Sequence, residues 1–403
     1  MGSPSMQTPE EALLIRYGEI GLKGGNRPHF EKKLVAHLRV ALAGVPGVRI
    51  QRIRGRMLVR GEAPAREMAA IARKVFGITS LSPALIVARE PAPMLAAARR
   101  LAAEAVAREH PGLGPIRFKV EVNRADKQFP LRSLEVARQV GAQLLADEPR
   151  LQVDLLDPEL TVGVDLRPEG VYVYAGRERA YGGLPVASTG RVLCLLSGGF
   201  DSPVAAWLCM KRGLRVDFIS FYSFPFVGPQ TREKILRLAE KLTEWQPQSV
   251  LHVVPFSAYQ EAIRDHCDER YRTILYRRAM QRIASVVART RKGKALVTGE
   301  SIGQVASQTL ENMRLIEEAS RLPVLRPVLT YDKTEIIALA REIGTHDLSN
   351  LPAPDCCTVF QPAQPIIHGQ LSEVEEAEAQ IDIGQLTYDA VHGTERIPLL
   401  HKP

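Results

Sequence analysis

A short apolar run, Val192 to Leu196, breaks into Ser197-Gly198-Gly199-Phe200-Asp201-Ser202, and Pro203 opens a second apolar stretch reaching Arg212. The first run is too short for a helix and reads as a buried strand; proline in the first turn of the second stretch marks a helix start. Glycines let the backbone approach a bulky anion, and the unbonded N–H groups and positive dipole end of the new helix face it. The ligand this predicts is a phosphate. No Gly-Lys-Ser/Thr follows the glycines at Walker spacing, which excludes that loop. Asp201 is out of place beside phosphate unless a cation lies between them, so it is expected to hold Mg²⁺. The competing reading is an ordinary helix start with Asp201 or Ser202 as N-cap.

The string Ser-Gly-Gly-x-Asp-Ser resembles the PP-loop of the ATP pyrophosphatases. At 403 residues the chain exceeds one ordinary core, so two or three domains are expected. A hydrophobic share of 45% with 24% charged residues describes a soluble globular protein, with no apolar run long enough to span a membrane. Met1 to Thr8 lacks the basic-then-apolar order of a secretory signal, so the expected compartment is the cytoplasm. Five cysteines scattered over the chain make no disulfide framework. A net charge of +8 suits a solvated basic surface or a polyanion such as RNA.

Strand and helix signals before the loop fall into two α/β units. Ala12–Arg16, Arg27–Leu42, Val48–Ile53, Met57–Val59, Pro64–Val75 and Ile78–Val87 read βαββαβ, a ferredoxin-like order. The loop from Arg16 to Arg27 carries four glycines among basic residues, and Arg49, Arg52, Arg54, Arg56 and Arg60 cluster on the hairpin. Met94–Glu109, Ile116–Val122, Ser133–Leu145, Glu159–Val164 and Gly170–Tyr174 make the second unit, with the polar turn Asn123 to Pro130 between its first strand and second helix. Glycines and a proline at 182–185 mark a linker. Beyond it, Val192–Leu196, Ser202–Lys211, Val216–Phe221, Thr231–Glu244, Val250–Val254, a long helical stretch Tyr259–Arg289 and Ala295–Val297 imply a parallel sheet flanked by helices. Ligands bind at the carboxyl ends of such strands, which here carry the loop, Ser220-Phe221-Tyr222 and Thr298-Gly299-Glu300-Ser301.

Taken together, the PP-loop, Arg16 to Gly24, Asn123 to Pro130, Thr298 to Asn312 and Leu325-Arg326-Pro327-Val328-Leu329-Thr330-Tyr331-Asp332-Lys333 resemble the tRNA 4-thiouridine synthetase family over nearly the whole chain. The resemblance implies an N-terminal ferredoxin-like domain (1–88), a THUMP RNA-binding domain (89–180) and a PP-loop ATP pyrophosphatase domain (181–403). It implies ATP bound by Leu195, Leu196, Ser197, Gly198, Gly199, Asp201, Ser202, Ser220, Phe221, Arg277, Gly299 and Gln308, with Lys333 as a second cation for the departing pyrophosphate. Expected tRNA contacts are Lys23, Asn123, Arg124, Lys127 and Arg326. Adenylation of uridine 8, then replacement of its oxygen by persulfide sulfur, is the implied reaction.

That reaction needs a thiol. Cys194 in a core strand and Cys209 on an apolar helix read as packed residues, and Cys267 has no zinc spacing. Cys356 and Cys357, in a proline-punctuated loop, are the candidates because a thiolate must be exposed to act. Some relatives carry a C-terminal rhodanese domain; this chain stops at Pro403, so a cysteine desulfurase or another carrier is expected to supply sulfur. A thiamine sulfur-carrier protein is a second candidate acceptor, and the sequence leaves open whether the protein pairs as a homodimer. The rival readings are a PP-loop ligase acting on another substrate and an RNA-binding protein with a degenerate nucleotide site.

Overall fold

A computed structural model describes residues 9–53, 55–354, 356 and 359–401, in two compact units that meet in sequence at Gly183 and Leu184. Arg54 lies outside the described residues. The first unit opens with β1 (Glu10–Tyr17), α1 (Arg27–Ala41), β2 (Arg49–Ile53), β3 (Arg56–Arg60), α2 (Ala65–Ala72) and β4 (Ile78–Val87). These strands order as β2-β3-β1-β4 with antiparallel neighbours, the ferredoxin-like arrangement. Phe30, Leu34 and Leu38 make the buried face of α1, as their spacing of four requires.

Next come α3 (Pro91–Glu109), β5 (Ile116–Arg124), α4 (Ser133–Asp147), β6 (Leu151–Val153), β7 (Leu160–Arg167), β8 (Gly170–Ala175) and β9 (Glu178–Arg179). β4 pairs antiparallel with β8, which joins both halves into one nine-stranded sheet. The alanine face of α3, with Met94, Ala98 and Ala102, and Val136, Val140 and Leu144 of α4 share a core with Phe118, Val162 and Val164. β6 and β9, three and two residues long, carry too little alternation for a sequence signal.

In the second unit β10 (Gly190–Leu195), α5 (Asp201–Lys211), β11 (Leu214–Tyr222), α6 (Pro229–Thr243) and β12 (Gln248–Pro255) alternate as expected. The long helical stretch is two helices, α7 (Ser257–His266) and α8 (Arg272–Thr290). Asp268 divides them, because its carboxylate accepts from Arg270 N at 2.8 Å and starts a new turn. β13 (Leu296–Val297), α9 (Leu310–Glu318), β14 (Val324–Leu325), α10 (Lys333–Glu342), α11 (His346–Ser349), α12 (Leu371–Glu378), α13 (Ile383–His392) and β15 (Glu395–Leu400) complete the unit. The sheet order is β14-β13-β10-β11-β12-β15, parallel except for β15. Pro398 inside β15 is tolerated because that strand is an edge. Among the described residues no helix is long and apolar enough to cross a membrane.

Candidate active site

Parallel register brings the carboxyl ends of β10, β11 and β13 to one edge, pairing Leu195 with Ile219 and Cys194 with Val297. A cavity of about 560 Å³ opens there. Leu195, Leu196, Ser197, Gly198, Gly199, Asp201, Ser202, Ser220, Phe221, Arg277, Gly299 and Gln308 all line it. The structure therefore brings together every residue expected at the nucleotide.

Two serines hold the loop's shape. Ser197 N donates to Ser202 Oγ at 2.9 Å and the two hydroxyl oxygens lie 3.1 Å apart, while Ser349 Oγ donates to Gly199 O at 3.1 Å. Gly299 passes so close to the start of α5 that a Cβ there would fall 2.5 Å from Ser202 N. Any side chain at 299 would push the end of β13 off the loop. Below Gly198 lies Lys234 of α6, 6% exposed, its Nζ donating to Ser349 O and Leu351 O at 2.8 and 2.7 Å.

Charge is arranged in two groups. Asp201 is the first residue of α5 and Lys333 the first of α10; Lys333 Nζ lies 2.6 Å from Asp201 Oδ1 and 5.5 Å from the Phe200 ring centre. Asp332 sets that position by capping α10, its carboxylate accepting from Thr334 N and Glu335 N. The second group centres on Glu300, 3% exposed, which accepts from Arg277 at 2.8 Å, Arg326 at 2.9 Å and Thr298 Oγ1 at 2.9 Å.

Mg²⁺ can be tested against these groups. Glu300 has both oxygens engaged, and no cluster of three or more acidic, His or Cys side chains suited to a metal exists among the described residues. Asp201 fits, since it lines the cavity and Lys333 engages its Oδ1, while Mg²⁺ commonly takes one or two carboxylates and completes its shell from substrate phosphates and water. Gln281 Oε1 and Gln308 Oε1 are buried in the cavity wall with no hydrogen-bond partner among the described residues, which suits acceptors for a bound donor such as a purine amino group.

Cys356 also lines the cavity, but it is 8% exposed and packs into the unit's core, its carbonyl accepting from Gln260 Nε2 at 2.8 Å. The expected open loop thiol is thus a wall residue, drawn in by the apolar surface of α8. Cys357 lies outside the described residues. Burial pushes the thiol of Cys194 up strongly, that of Cys209 to about 12 and that of Cys267 to about 11, in keeping with packed, inert cysteines.

The expected RNA contacts divide. Asn123, near the end of β5, and Lys127, on the turn after it, are exposed, and Arg124 shapes that turn by donating to Lys127 O and Phe129 O at 2.9 Å. Lys23, paired with Glu19 at 3.0 Å, follows β1, so the sheet does not bring the two loops together. Arg326 departs from expectation: its side chain is 10% exposed and held between Glu300 and Glu317, which leaves no open face for a phosphate. On the hairpin, Arg56 pairs with Asp165, Arg60 with Glu10 and Arg52 with Glu31. Lys234 and Gln281 do not stand out in the sequence as site residues, whereas Glu300 falls in the strand end Thr298 to Ser301 that the sequence marks. The spacing of Arg277 and Gln281, one turn apart on α8, is the one signal it offers for Gln281.

Residues 187–383 match the family model of thiamine biosynthesis protein (ThiI), residues 12–82 that of the ThiI ferredoxin-like domain, and residues 94–175 that of the THUMP domain. A probable tRNA sulfurtransferase of Moorella thermoacetica is 43% identical over 95% of this chain and 96% of its own. One from Brevibacillus brevis is 43% identical over 98% and 97%. The crystal structure of a 4-thiouridine synthetase–RNA complex with bound ATP superposes with a TM-score of 0.87 at 34% identity, covering 97% of this chain and 100% of that one.

Proposed function

The chain belongs to the ThiI family of tRNA sulfurtransferases, and from that premise we propose that it uses ATP to adenylate uridine 8 of tRNA and exchanges the activated oxygen for sulfur, giving 4-thiouridine. The observation that carries this is that the PP-loop, the ends of three strands and Cys356 line one cavity. Its domains are taken as 1–88, 89–180 and 181–403.

Each step has residues suited to it. The N–H groups at the start of α5 and of Gly198 cradle the pyrophosphate, and Gln281 and Gln308 accept from the adenine. Asp201 would hold Mg²⁺, which when bound would neutralise charge on the phosphates. The uracil O4 attacks the α-phosphorus, pyrophosphate leaves, and Lys333 and Arg277 stabilise the charge that develops. The terminal sulfur of a cysteine persulfide then attacks C4 and AMP departs with the original uracil oxygen, which leaves the base joined to that cysteine through a disulfide. In this reading Cys356 and Cys357 serve as sulfur carrier and resolving thiol, charged by a cysteine desulfurase. The resolving thiolate attacks the carrier's sulfur, 4-thiouridine leaves, and the disulfide formed between the two cysteines is reduced by an external thiol. Sulfur transfer to a thiamine carrier protein is a second use of the same thiols.

The test is to incubate the protein with unmodified tRNA, ATP, Mg²⁺, cysteine and a cysteine desulfurase and follow 4-thiouridine by near-ultraviolet absorbance. Thiolation that needs ATP and Asp201 supports the reading. Absence of 4-thiouridine, with tRNA bound and inorganic sulfide also ineffective, contradicts it.

A further inference from the structure

Between Phe221 and Thr231, both in the cavity wall, the chain makes the loop Ser223-Phe224-Pro225-Phe226-Val227-Gly228. Val227 is fully buried and anchors it, its N–H donating to Ser223 O at 2.9 Å. The two phenylalanines beside that anchor face outward: Phe224 is 64% and Phe226 40% exposed. Among the described residues the only other aromatic so open is Tyr388, which packs on His392 of its own helix. Phe224 stacks on Tyr222 with ring centres 6.4 Å apart, and Phe226 meets Phe360 edge-on at 4.8 Å. Arg264 lies 4.6 Å above the Phe360 ring. Phe360 follows Cys356 by four residues, so both ends of this aromatic surface are tied to the cavity.

Folding does not explain two open rings within three residues of one loop, since burying either would stabilise the unit. Chemistry at C4 does. A uracil stacked inside a folded RNA cannot bring O4 to an α-phosphorus, and enzymes acting on a base take it out of its stack, at a cost that a new stacking partner offsets. Aromatic rings layered with a guanidinium are the surface on which unstacked RNA bases settle. We propose that Phe224 and Phe226 form the platform on which the target uracil of tRNA stacks after leaving its own helix, at the rim of the adenylation cavity. This rests on the tRNA-thiolating reading above and names the site that receives the base.

The test uses the full chain bound to tRNA carrying 5-iodouridine at the target position, irradiated in the near-ultraviolet, with the adduct located by peptide mass spectrometry. The adduct is expected on Phe224 or Phe226; one found elsewhere, or none in a complex that forms, overturns the proposal. In parallel, thiolation is measured with inorganic sulfide as donor. Phe224→Ala and Phe226→Ala should lower kcat/KM about tenfold, and Phe224→Trp should retain most of it. A loss seen only when the desulfurase supplies sulfur would make the loop a protein-docking surface and overturn the base platform. Wild-type protein that thiolates tRNA with neither donor overturns the platform and the proposed function together, whereas active protein with no adduct on the loop overturns the platform alone.

Discussion

Lys333 Nζ lies 2.6 Å from Asp201 Oδ1, so the first residues of α10 and α5 are tied by an ion pair at the mouth of the phosphate loop. Both helices present their positive dipole ends there, and together they make a site for a polyphosphate. Lys333→Ala and Asp201→Asn are each expected to lower tRNA-dependent pyrophosphate release by about 10²–10³. Because the two act on the same phosphates, the double variant should lose little more than the worse single one. Pyrophosphate release from the three variants checks this; losses that multiply would mean the residues act independently.

Glu300 joins stability to the site. Its carboxylate is shared by Arg277, which lines the cavity, and Arg326, which does not. Glu300→Ala removes one carboxylate partner from each of two guanidinium groups and should cost about 2–3 kcal/mol, below the 3–5 typical of breaking a fully buried pair because Arg326 keeps Glu317 and Arg277 is partly solvated. That corresponds to a fall of roughly 5–10 °C in Tm for a unit of this size. Calorimetry and ATP titration on the same variant should show both a lower Tm and weaker ATP binding.

The thiols separate by environment. Cys194, Cys209 and Cys267 are protonated at neutral pH, the last two with values raised to about 12 and 11 by burial. Iodoacetamide applied to the native protein should therefore spare those three and label the peptide carrying Cys356 and Cys357, which the reagent reaches through the cavity that Cys356 lines. ATP should slow that labelling, because Cys356 shares the nucleotide cavity. Peptide mapping with and without ATP reads both effects.

His252 on β12 sets an acid limit. Its ring is fully buried, its nitrogens have no partner among the described residues, and burial holds its pKa down at about 4. In the unfolded chain it titrates near ~6.5. Between those values only the unfolded state takes up the proton, so stability present above pH ~6.5 drains away as the pH falls towards ~4. Roughly 1–2 kcal/mol should be lost from this residue between pH 7 and 5, and His252→Leu should flatten that slope in denaturant titrations. An unchanged slope would place the acid sensitivity elsewhere.

The parts legible in the sequence are those whose signal is local. Ser197 to Ser202 announces a phosphate loop because strand, glycines and helix start are contiguous, and parallel alternation then places Ser220, Phe221 and Gly299 at the same edge. The parts that stay hidden depend on tertiary partners. Arg326 looks like an RNA contact until Glu300 and Glu317 are seen to hold it, and Lys234 looks like a surface lysine until α6 buries it under Gly198. Cys356 sits in a loop by composition yet packs into the core, and β15 is a strand only because β12 offers it an edge. Asp268 breaks an apparently continuous helix by accepting from the backbone and guanidinium of Arg270.

The central claim is that this cavity activates the uracil oxygen as an AMP ester. It is tested most directly with tRNA whose target uridine carries oxygen-18 at O4, incubated with the protein, ATP and a sulfur donor, and analysed by mass spectrometry of the released AMP. The account predicts one oxygen-18 in each AMP for each 4-thiouridine formed. Unlabelled AMP alongside 4-thiouridine would contradict it.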